Sequence, residues 1–336
     1  MKKIIFFFCI ISIIQSCSSD SEVKNSSPNA DFNYKIKIDE IKLSDNSNDA
    51  DGDPLICEWS CQSNLISLSN KNGISSSFEL TNSNQEQEID ITLTVNDTES
   101  ENSVTKTILI PKLTESIKLG LGSQVNEEKS NDVNYDWYLD QSLTGKRSSV
   151  NCGPTSVTMA IKWANEDFYG KPEDARNTFK PKGGWWYTED IISYLNLYHV
   201  SNYTIRLDNI DNLKEQLDKN NILIICLDMF YISNQKKDSW HVDKFYTTAN
   251  KDWGHFIIAK GYKVVDGKVF YEIYDPNGYE RKYSDGSNKG VNRYYRAEDL
   301  DKATNIWWDY AIVVSQQKSK TKKGINPSTI KHQKGR

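Results

Sequence analysis

Cys152 stands where the sequence predicts the start of a buried helix, in the stretch Asn151-Cys152-Gly153-Pro154-Thr155-Ser156. The apolar residues that follow repeat at the spacing of one helix face, and they are Val157, Ala160, Ile161 and Ala164. Pro154 suits the first helical turn, where no backbone N–H is needed. A helix N-terminus lowers the pKa of a thiol, especially beside a charged histidine, so Cys152 is the candidate nucleophile of a covalent reaction.

Gly153 and Cys226 are interpreted from their surroundings in the same way. We expect Gly153 to let the backbone approach a substrate closely, because glycine has no side chain. Cys226 lies instead within an apolar run, Ile222–Leu227, which is typical of a fully buried strand. We therefore predict that Cys226 is a core residue.

A nucleophilic thiol needs a base, and the chain has four histidines. His255 follows Trp253-Gly254 and opens an apolar β-strand pattern. His199 ends a predicted helix, His332 belongs to a basic tail, and His241 lies in an irregular polar stretch that could line a groove. His255 is the candidate general base.

The strand that begins at His255 is predicted to turn at Asp266-Gly267 and to return to Asp275. With a two-residue turn, His255 pairs near Gly278, and Asp275 lies about three residues, roughly 10 Å, along the neighbouring strand. Two irregularities would shorten that gap, a bulge at Gly261 or a bend at Pro276. We expect Asp275 to orient the imidazole, the alternative being an Asp that only initiates a turn before proline.

These blocks together resemble a known family. Gln141, Asn151–Thr155, Trp253–Phe256 and Asp275–Gly278 are similar to signatures of double-glycine-leader-type cysteine peptidases, in the free-standing ("C-thirty-nine-like") branch of the papain-like clan. The resemblance covers roughly residues 130–315 and implies an α+β papain-like fold over residues 116–315.

The resemblance also implies a role for each matching residue. Cys152 would be the nucleophile, His255 the general base and acid, and Asp275 the residue that orients the imidazole. Gln141 would donate a side-chain N–H to an oxyanion hole, with the backbone N–H of Cys152 as the second donor.

Residues 29–112 predict a small all-β sandwich. Alternate residues of one stretch are apolar, and they are Ile89, Ile91, Leu93 and Val95. The Asp-rich turn Asp49–Leu55 leads into a strand that carries Trp59, which resembles polycystic-kidney-disease-type immunoglobulin-like modules. Spacing or adhesion is the role that we expect of this module.

Three carboxylates in that turn, Asp49, Asp51 and Asp53, could hold a structural Ca²⁺, because that ion prefers oxygen ligands. The alternative is a plain turn with solvated carboxylates. Cys57 and Cys61, if both lie on one strand, have Cα atoms about 13 Å apart, beyond the reach of a disulfide. They are then separate thiols, unless Cys61 has already left the strand.

The N-terminus predicts a lipoprotein. Residues 1–16 have two lysines and then a short apolar run, which is typical of a signal peptide. Ile14-Gln15-Ser16-Cys17 resembles a bacterial lipobox, which implies lipidation of Cys17 and anchoring to the outer membrane of the cell envelope. Residues 17–28 are polar and predict a tether, and the acidic stretch after Cys17 favours exposure on the cell surface.

Composition separates these regions. Of the 38 aromatic residues, 31 lie in residues 116–310, where the catalytic core is expected. Residues 18–115 carry 18 acidic and 7 basic side chains, whereas residues 316–336 predict a basic disordered tail. The 26% of charged residues and the net charge of −5 argue against a multi-spanning membrane protein and against a nucleic-acid partner.

The sequence therefore predicts a surface-anchored cysteine peptidase that hydrolyses peptide or protein substrates through a thioester, needs no cofactor and is a monomer. Two alternatives stay open. The same fold could transfer the acyl group to an amine, as in transglutaminase or amidase chemistry, or both modules could only bind a surface partner without catalysis.

Overall fold

A computed structural model describes residues 24–37, 39–63, 66–80 and 85–316. The predicted signal peptide, the lipidation site Cys17 and residues 317–336 of the predicted basic tail lie outside the described residues. The chain divides into two compact units, the first containing Ile41–Glu79 and Gln87–Ile110 and the second containing the described chain from Pro111 onward.

The first unit is all-β. Its strands form two three-stranded sheets, in the orders β1-β2-β4 and β3-β5-β6. They are β1 (Phe32–Lys37), β2 (Glu40–Asp45), β3 (Ile56–Cys61), β4 (Ser75–Glu79), β5 (Gln87–Asn96) and β6 (Glu101–Ile110).

The core of the first unit follows the predicted period of two. The inward side chains of β5 are all buried, and they are Ile89, Ile91, Leu93 and Val95. Trp59 of β3 is buried against Phe32, with ring centroids 5.2 Å apart. Cys57 and Cys61 both lie in β3 and are free thiols, as their predicted separation requires.

The second unit is α+β. Its six described helices are α1 (Glu115–Lys118), α2 (Cys152–Ala164), α3 (Pro172–Thr178), α4 (Thr188–Leu197), α5 (Asp211–Asp218) and α6 (Ala297–Trp307). Its strands are β7 (Val125–Ser130), β8 (Ser201–Arg206), β9 (Ile222–Asp228), β10 (Gly254–Val265), β11 (Lys268–Tyr274), β12 (Arg293–Arg296) and β13 (Tyr310–Ser315). They form one sheet in the order β12-β11-β10-β9-β13-β8, with β7 paired to β10. The predicted succession of an all-β module and an α+β domain agrees with this architecture.

Helices cover both faces of this sheet. β9 is buried along its whole length, so its alternate side chains enter two different cores. Ile224 and Cys226 pack on the side of α2 and α4, whereas Leu223 and Ile225 pack on the side of α5 and α6. The site elements α2 and β10 are therefore fixed by a core that continues on both sides of the sheet. None of the helices that the structure describes is long and apolar enough to cross a membrane.

A bulge in β10 sets the register that matters for the site. Gly261 pairs with Glu272, but Ala259 pairs with Ile273, so Lys260 is an extra residue in β10. The shift places Ile257, rather than Ile258, opposite the position of Asp275, which shortens the predicted gap to His255 to about two residues. Of the two irregularities that the sequence allows, the bulge is present.

Lys260 is buried at the bulge and compensated by acids. Its Nζ lies 2.7 Å from Oε1 of Glu272 and 2.8 Å from Oδ2 of Asp132. Burial raises the pKa of Asp132, but the charge and hydrogen bond of Lys260 outweigh it and leave that pKa below its usual value. This cluster fastens the segment after β7 to the bulge.

We expect Lys260→Met to destabilise the second unit by about 3–5 kcal/mol, because it leaves the buried Glu272 carboxylate without its cation. Urea unfolding followed by tryptophan fluorescence measures this change. Lys263→Met is the matched control in the same strand, since Lys263 pairs with Glu128, a residue whose side chain is 58% exposed, and such pairs contribute about 1 kcal/mol or less. Equal losses in the two variants would contradict a structural role for the buried cluster.

Candidate active site

Cys152 is the first residue of α2, and Asn151 precedes the helix. The thiol is buried, with 6% of the residue exposed. Burial raises the pKa of the thiol, but the hydrogen bond and charge of His255 and the backbone N–H groups of Phe256 and Gly153 outweigh it. The pKa of Cys152 therefore lies below its ordinary value of 9.0.

Gly153 lies directly against Trp186. A Cβ at this position would lie 2.8 Å from Cβ of Trp186. Glycine here makes room for the buried Trp186 side chain. The close approach of a substrate to the Gly153 backbone stays a prediction.

His255 is the second residue of β10 and is 2% exposed. Its Nε2 lies 2.7 Å from Oδ1 of Asp275, so Nδ1 is the nitrogen left for the thiol of Cys152. Burial lowers the pKa of the imidazole, but the charge and hydrogen bond of Asp275, with those of Cys152, raise it to about 10. The imidazole is therefore held in its cationic form at neutral pH.

Asp275 directly follows β11 and is fully buried. Its backbone N–H donates to the carbonyl of Gly290 at 2.9 Å, and its own carbonyl accepts from the hydroxyl of Tyr138 at 2.9 Å. Burial raises the pKa of the carboxyl, but the charge and hydrogen bond of His255 and a hydrogen bond from Tyr295 leave it below the usual value. The carboxylate is thus ionised and its backbone is fixed on both sides.

These shifts favour a thiolate beside an imidazolium. The pKa of Cys152 is lowered from 9.0, whereas that of His255 is raised to about 10. At a pH above the lowered pKa of Cys152 and below the raised pKa of His255, the sulfur has lost its proton and the imidazole has kept its own. A thiolate is the nucleophilic form of cysteine, so this arrangement can carry out covalent catalysis.

Gln141 lies in a short 3₁₀ turn, Gln141–Leu143, and its side chain faces the same cavity as Cys152. Its Nε2 donates to the carbonyl of Ser148 at 3.0 Å, and its backbone N–H donates to the carbonyl of Pro276 at 2.7 Å. Oε1 is buried and has no hydrogen-bond partner among the described residues. One amide hydrogen of Gln141 is therefore used inside the protein, and the second is left for another acceptor.

A cavity of about 670 Å³ opens onto the thiol and the imidazole. Aromatic rings that are partly exposed line it, with Trp185 56%, Trp253 40% and Tyr279 44% exposed. Its other lining residues are polar or small, among them Ser142, Ser148, Ser149, Asn250 and Asn277. Partly exposed rings around a reactive group are typical of a binding cleft.

Arg176 of α3 holds the loop before Cys152. Its guanidinium donates to Oδ1 of Asn151 at 2.8 Å, to the carbonyl of Val150 at 2.6 Å and to the carbonyl of Gly184 at 3.0 Å. Burial lowers the pKa of Arg176, while the charge of Cys152 raises it. Sequence reasoning missed this residue, because nothing in the local pattern of α3 distinguishes a buried arginine from a surface one.

The described histidines other than His255 take no part in these contacts, and Cys226 is a buried neighbour of Cys152. His199 is exposed at the end of α4, and His241 stacks on Tyr283 at 4.1 Å, where burial lowers its pKa to about 4. The cavity lining does not include His241 among the described residues. Cys226 is buried in β9 beside this site, where burial and the charge of Cys152 raise the pKa of its thiol. His332 lies outside the described residues.

The aspartate turn of the first unit brings three carboxylates together. One oxygen from each of Asp49, Asp51 and Asp53 lies within 4.8 Å of the others. Oδ1 of Asp49 already accepts the backbone N–H groups of Asp51 at 2.8 Å and Asp53 at 3.2 Å. These hydrogen bonds are those of a plain turn. The spacing of the carboxylate oxygens also suits a cation, so Ca²⁺ binding stays a prediction.

Comparison with known proteins gives structural likeness only. No protein-family model and no curated protein sequence matches the chain. The PKD1 domain of Epp from Vibrio anguillarum is 22% identical with a TM-score of 0.23, covering 26% of this chain and 99% of that one. A candidate C39-like peptidase from Bacillus anthracis is 15% identical with a TM-score of 0.38, covering 58% of this chain and all of that one. These likenesses are too distant to assign the chain to a family.

Proposed function

We propose that the second unit is a cysteine hydrolase that cleaves peptide bonds, with Cys152 as nucleophile, His255 as general base and acid, and Asp275 as the orienting carboxylate. The observation that carries this proposal is the buried chain of contacts from the Cys152 thiol through His255 to Asp275, open to a cavity at the thiol end. The lowered thiol pKa and the raised imidazole pKa support it.

In the proposed reaction the thiolate of Cys152 attacks the carbonyl carbon of the scissile bond and forms a C–S bond. The imidazolium of His255 gives its proton to the leaving nitrogen as the C–N bond breaks, which releases an amine and leaves a thioester. Water then attacks the thioester while His255 takes its proton. The acid leaves, the thiolate is restored, and Asp275 stabilises the imidazolium throughout.

We propose two donors for the oxyanion of this reaction, the backbone N–H of Cys152 at the start of α2 and the second amide hydrogen of Gln141. The position of Gln141 at the cavity supports its role, since its first amide hydrogen is fixed on Ser148 and orients the group. No cofactor is needed for these steps.

Digestion of a peptide library by the wild-type protein and by Cys152→Ala tests the function. Mass spectrometry of the products, with and without an added primary amine, distinguishes the outcomes. New free carboxyl termini that need Cys152 support hydrolysis, and amine adducts that need Cys152 point to acyl transfer. Identical mixtures from both proteins, in the presence of a folded second unit, would favour a binding protein.

We expect Trp185→Ala to raise KM by about 5–30-fold with little change in kcat. Trp185 lines the cavity and is 56% exposed, so a bound peptide buries apolar indole surface worth about 1–2 kcal/mol. Initial rates over a range of peptide concentrations measure the change. Tyr169→Ala is the matched control, because Tyr169 is 86% exposed and lies outside the cavity lining of the described residues. A fall in kcat at constant KM would argue against a binding role for Trp185.

We further propose that the first unit is an immunoglobulin-like spacer of the polycystic-kidney-disease type, and that Cys17 carries lipid that anchors the protein to the bacterial outer membrane. The two small sheets and the lipobox-like Ile14-Gln15-Ser16-Cys17 support these two ideas respectively. Labelling of cells with an alkyne fatty acid tests the anchor. Wild-type protein should take up the label and Cys17→Ala should not.

A further inference from the structure

The carboxylate of Asp275 is held by more than the imidazole. Its Oδ1 accepts hydrogen bonds from Nε2 of His255 at 2.7 Å and from the backbone N–H of Asn277 at 2.9 Å. Its Oδ2 accepts two hydroxyl groups, from Tyr246 at 2.8 Å and from Tyr295 at 2.6 Å. Four donors therefore surround one carboxylate that is fully buried.

The two tyrosines come from different parts of the fold. Tyr295 lies in β12 and is fully buried, and Tyr246 lies between β9 and β10 and is 6% exposed. Burial raises the pKa of both hydroxyls well above the ordinary value, and the charge of Asp275 raises it further. Both hydroxyls thus keep their protons and act as donors to the carboxylate.

We propose that Tyr246 and Tyr295 are positioning residues that act on the reaction through Asp275, an inference that rests on the proposed function. Neither is among the described residues that line the cavity, so neither is placed to touch a substrate. With Oδ2 held by two separate elements, the carboxyl group cannot rotate, and Oδ1 stays in line with His255.

The two hydroxyls also keep Asp275 ionised. A fully buried carboxylate is stable as an anion only when donors replace the water that it has lost. Without both hydroxyls Oδ2 has lost its donors, and the carboxyl group takes up a proton or turns away from His255. Either change removes the negative charge that stabilises the imidazolium.

Tyrosine-to-phenylalanine variants test this idea, because they remove the hydroxyl and keep the ring. We expect Tyr246→Phe and Tyr295→Phe each to lower kcat about tenfold at unchanged KM, which corresponds to about 1.4 kcal/mol. The double variant should approach the activity of Asp275→Asn. Its alkaline pH limit should fall toward that of Asp275→Asn, since a neutral carboxyl no longer raises the pKa of His255.

Making the tyrosine variants both in the wild-type protein and in Asp275→Asn separates a positioning role from a general structural effect. In Asp275→Asn protein, removing either hydroxyl should change kcat less than twofold, because the group through which the tyrosines act is already neutral. Loss by the same factor in both backgrounds would overturn the proposal. Tyr271→Phe is the matched control, since Tyr271 is equally buried in β11 but donates to the carbonyl of Ile210 at 2.9 Å.

A measurement without substrate keeps this inference distinguishable from the proposed function. NMR titration of the His255 imidazole in ¹⁵N-histidine-labelled protein reports its pKa directly. A fall of that pKa in Tyr246→Phe/Tyr295→Phe but not in Tyr271→Phe supports positioning even if the wild-type protein cleaves no peptide. An unchanged imidazole pKa in the double variant overturns it.

Discussion

Cys152→Ala should lower kcat/KM for peptide hydrolysis by about four to six orders of magnitude, because the variant has no atom that can form the thioester. Cys226→Ala is the matched control. Cys226 is a buried free thiol in the same unit, so its loss should affect stability and leave kcat within about threefold of the wild type.

Alkylation tests the assignment of Cys152 as nucleophile without a substrate. At pH 6–7 iodoacetamide should label Cys152 faster than Cys57 or Cys226, because only Cys152 has a lowered pKa among these three. Peptide mapping after a short exposure identifies the labelled thiol. Preferential labelling of Cys226 would refute the assignment of the nucleophile.

Asp275→Asn should lower kcat/KM by about 10²–10⁴-fold and narrow the pH range of activity. In the wild type, activity requires the Cys152 thiolate and the His255 imidazolium together. It should rise at a pH below 9.0, where the lowered pKa of the thiol lies, and fall only as the pH passes about 10, where His255 loses its proton. Without the charge of Asp275, the alkaline limit should move down toward 6.5, the ordinary imidazole pKa.

The dependence of kcat/KM on pH for both proteins measures this shift. Asp243→Asn is the matched control, because Asp243 is 2% exposed and bonds Arg296 instead of His255. It should lower stability and leave both pH limits in place. An alkaline limit that stays near pH 10 in Asp275→Asn would mean that another group sets the pKa of His255.

The parts of this site that the sequence could predict are those with a local pattern. The period of the apolar residues after Cys152 predicts a helix, and α2 begins at that residue. The apolar run after His255 and the Asp266-Gly267 turn predict the β10–β11 hairpin, and Val265 does pair with Lys268 across the turn.

What the sequence could not decide depends on contacts between distant residues. The register of β10 changes at Lys260, and that residue is satisfied by Asp132, which lies 128 positions earlier in the chain. Tyr246 and Tyr295 are two of eighteen tyrosines, and no spacing marks them as partners of Asp275. A local pattern carries no information about which side chains the final packing brings to a buried carboxylate.

The distance along the chain between Cys152 and His255 has a consequence for the newly made protein. The lowered thiol pKa depends on the hydrogen bond and charge of a residue in β10, and the imidazole depends in turn on Asp275. Until the β10–β11 hairpin has formed and docked against α2, Cys152 is an ordinary thiol that is mostly protonated at neutral pH. We therefore expect the Cys152 thiol of the nascent chain to stay unreactive until the second unit has folded.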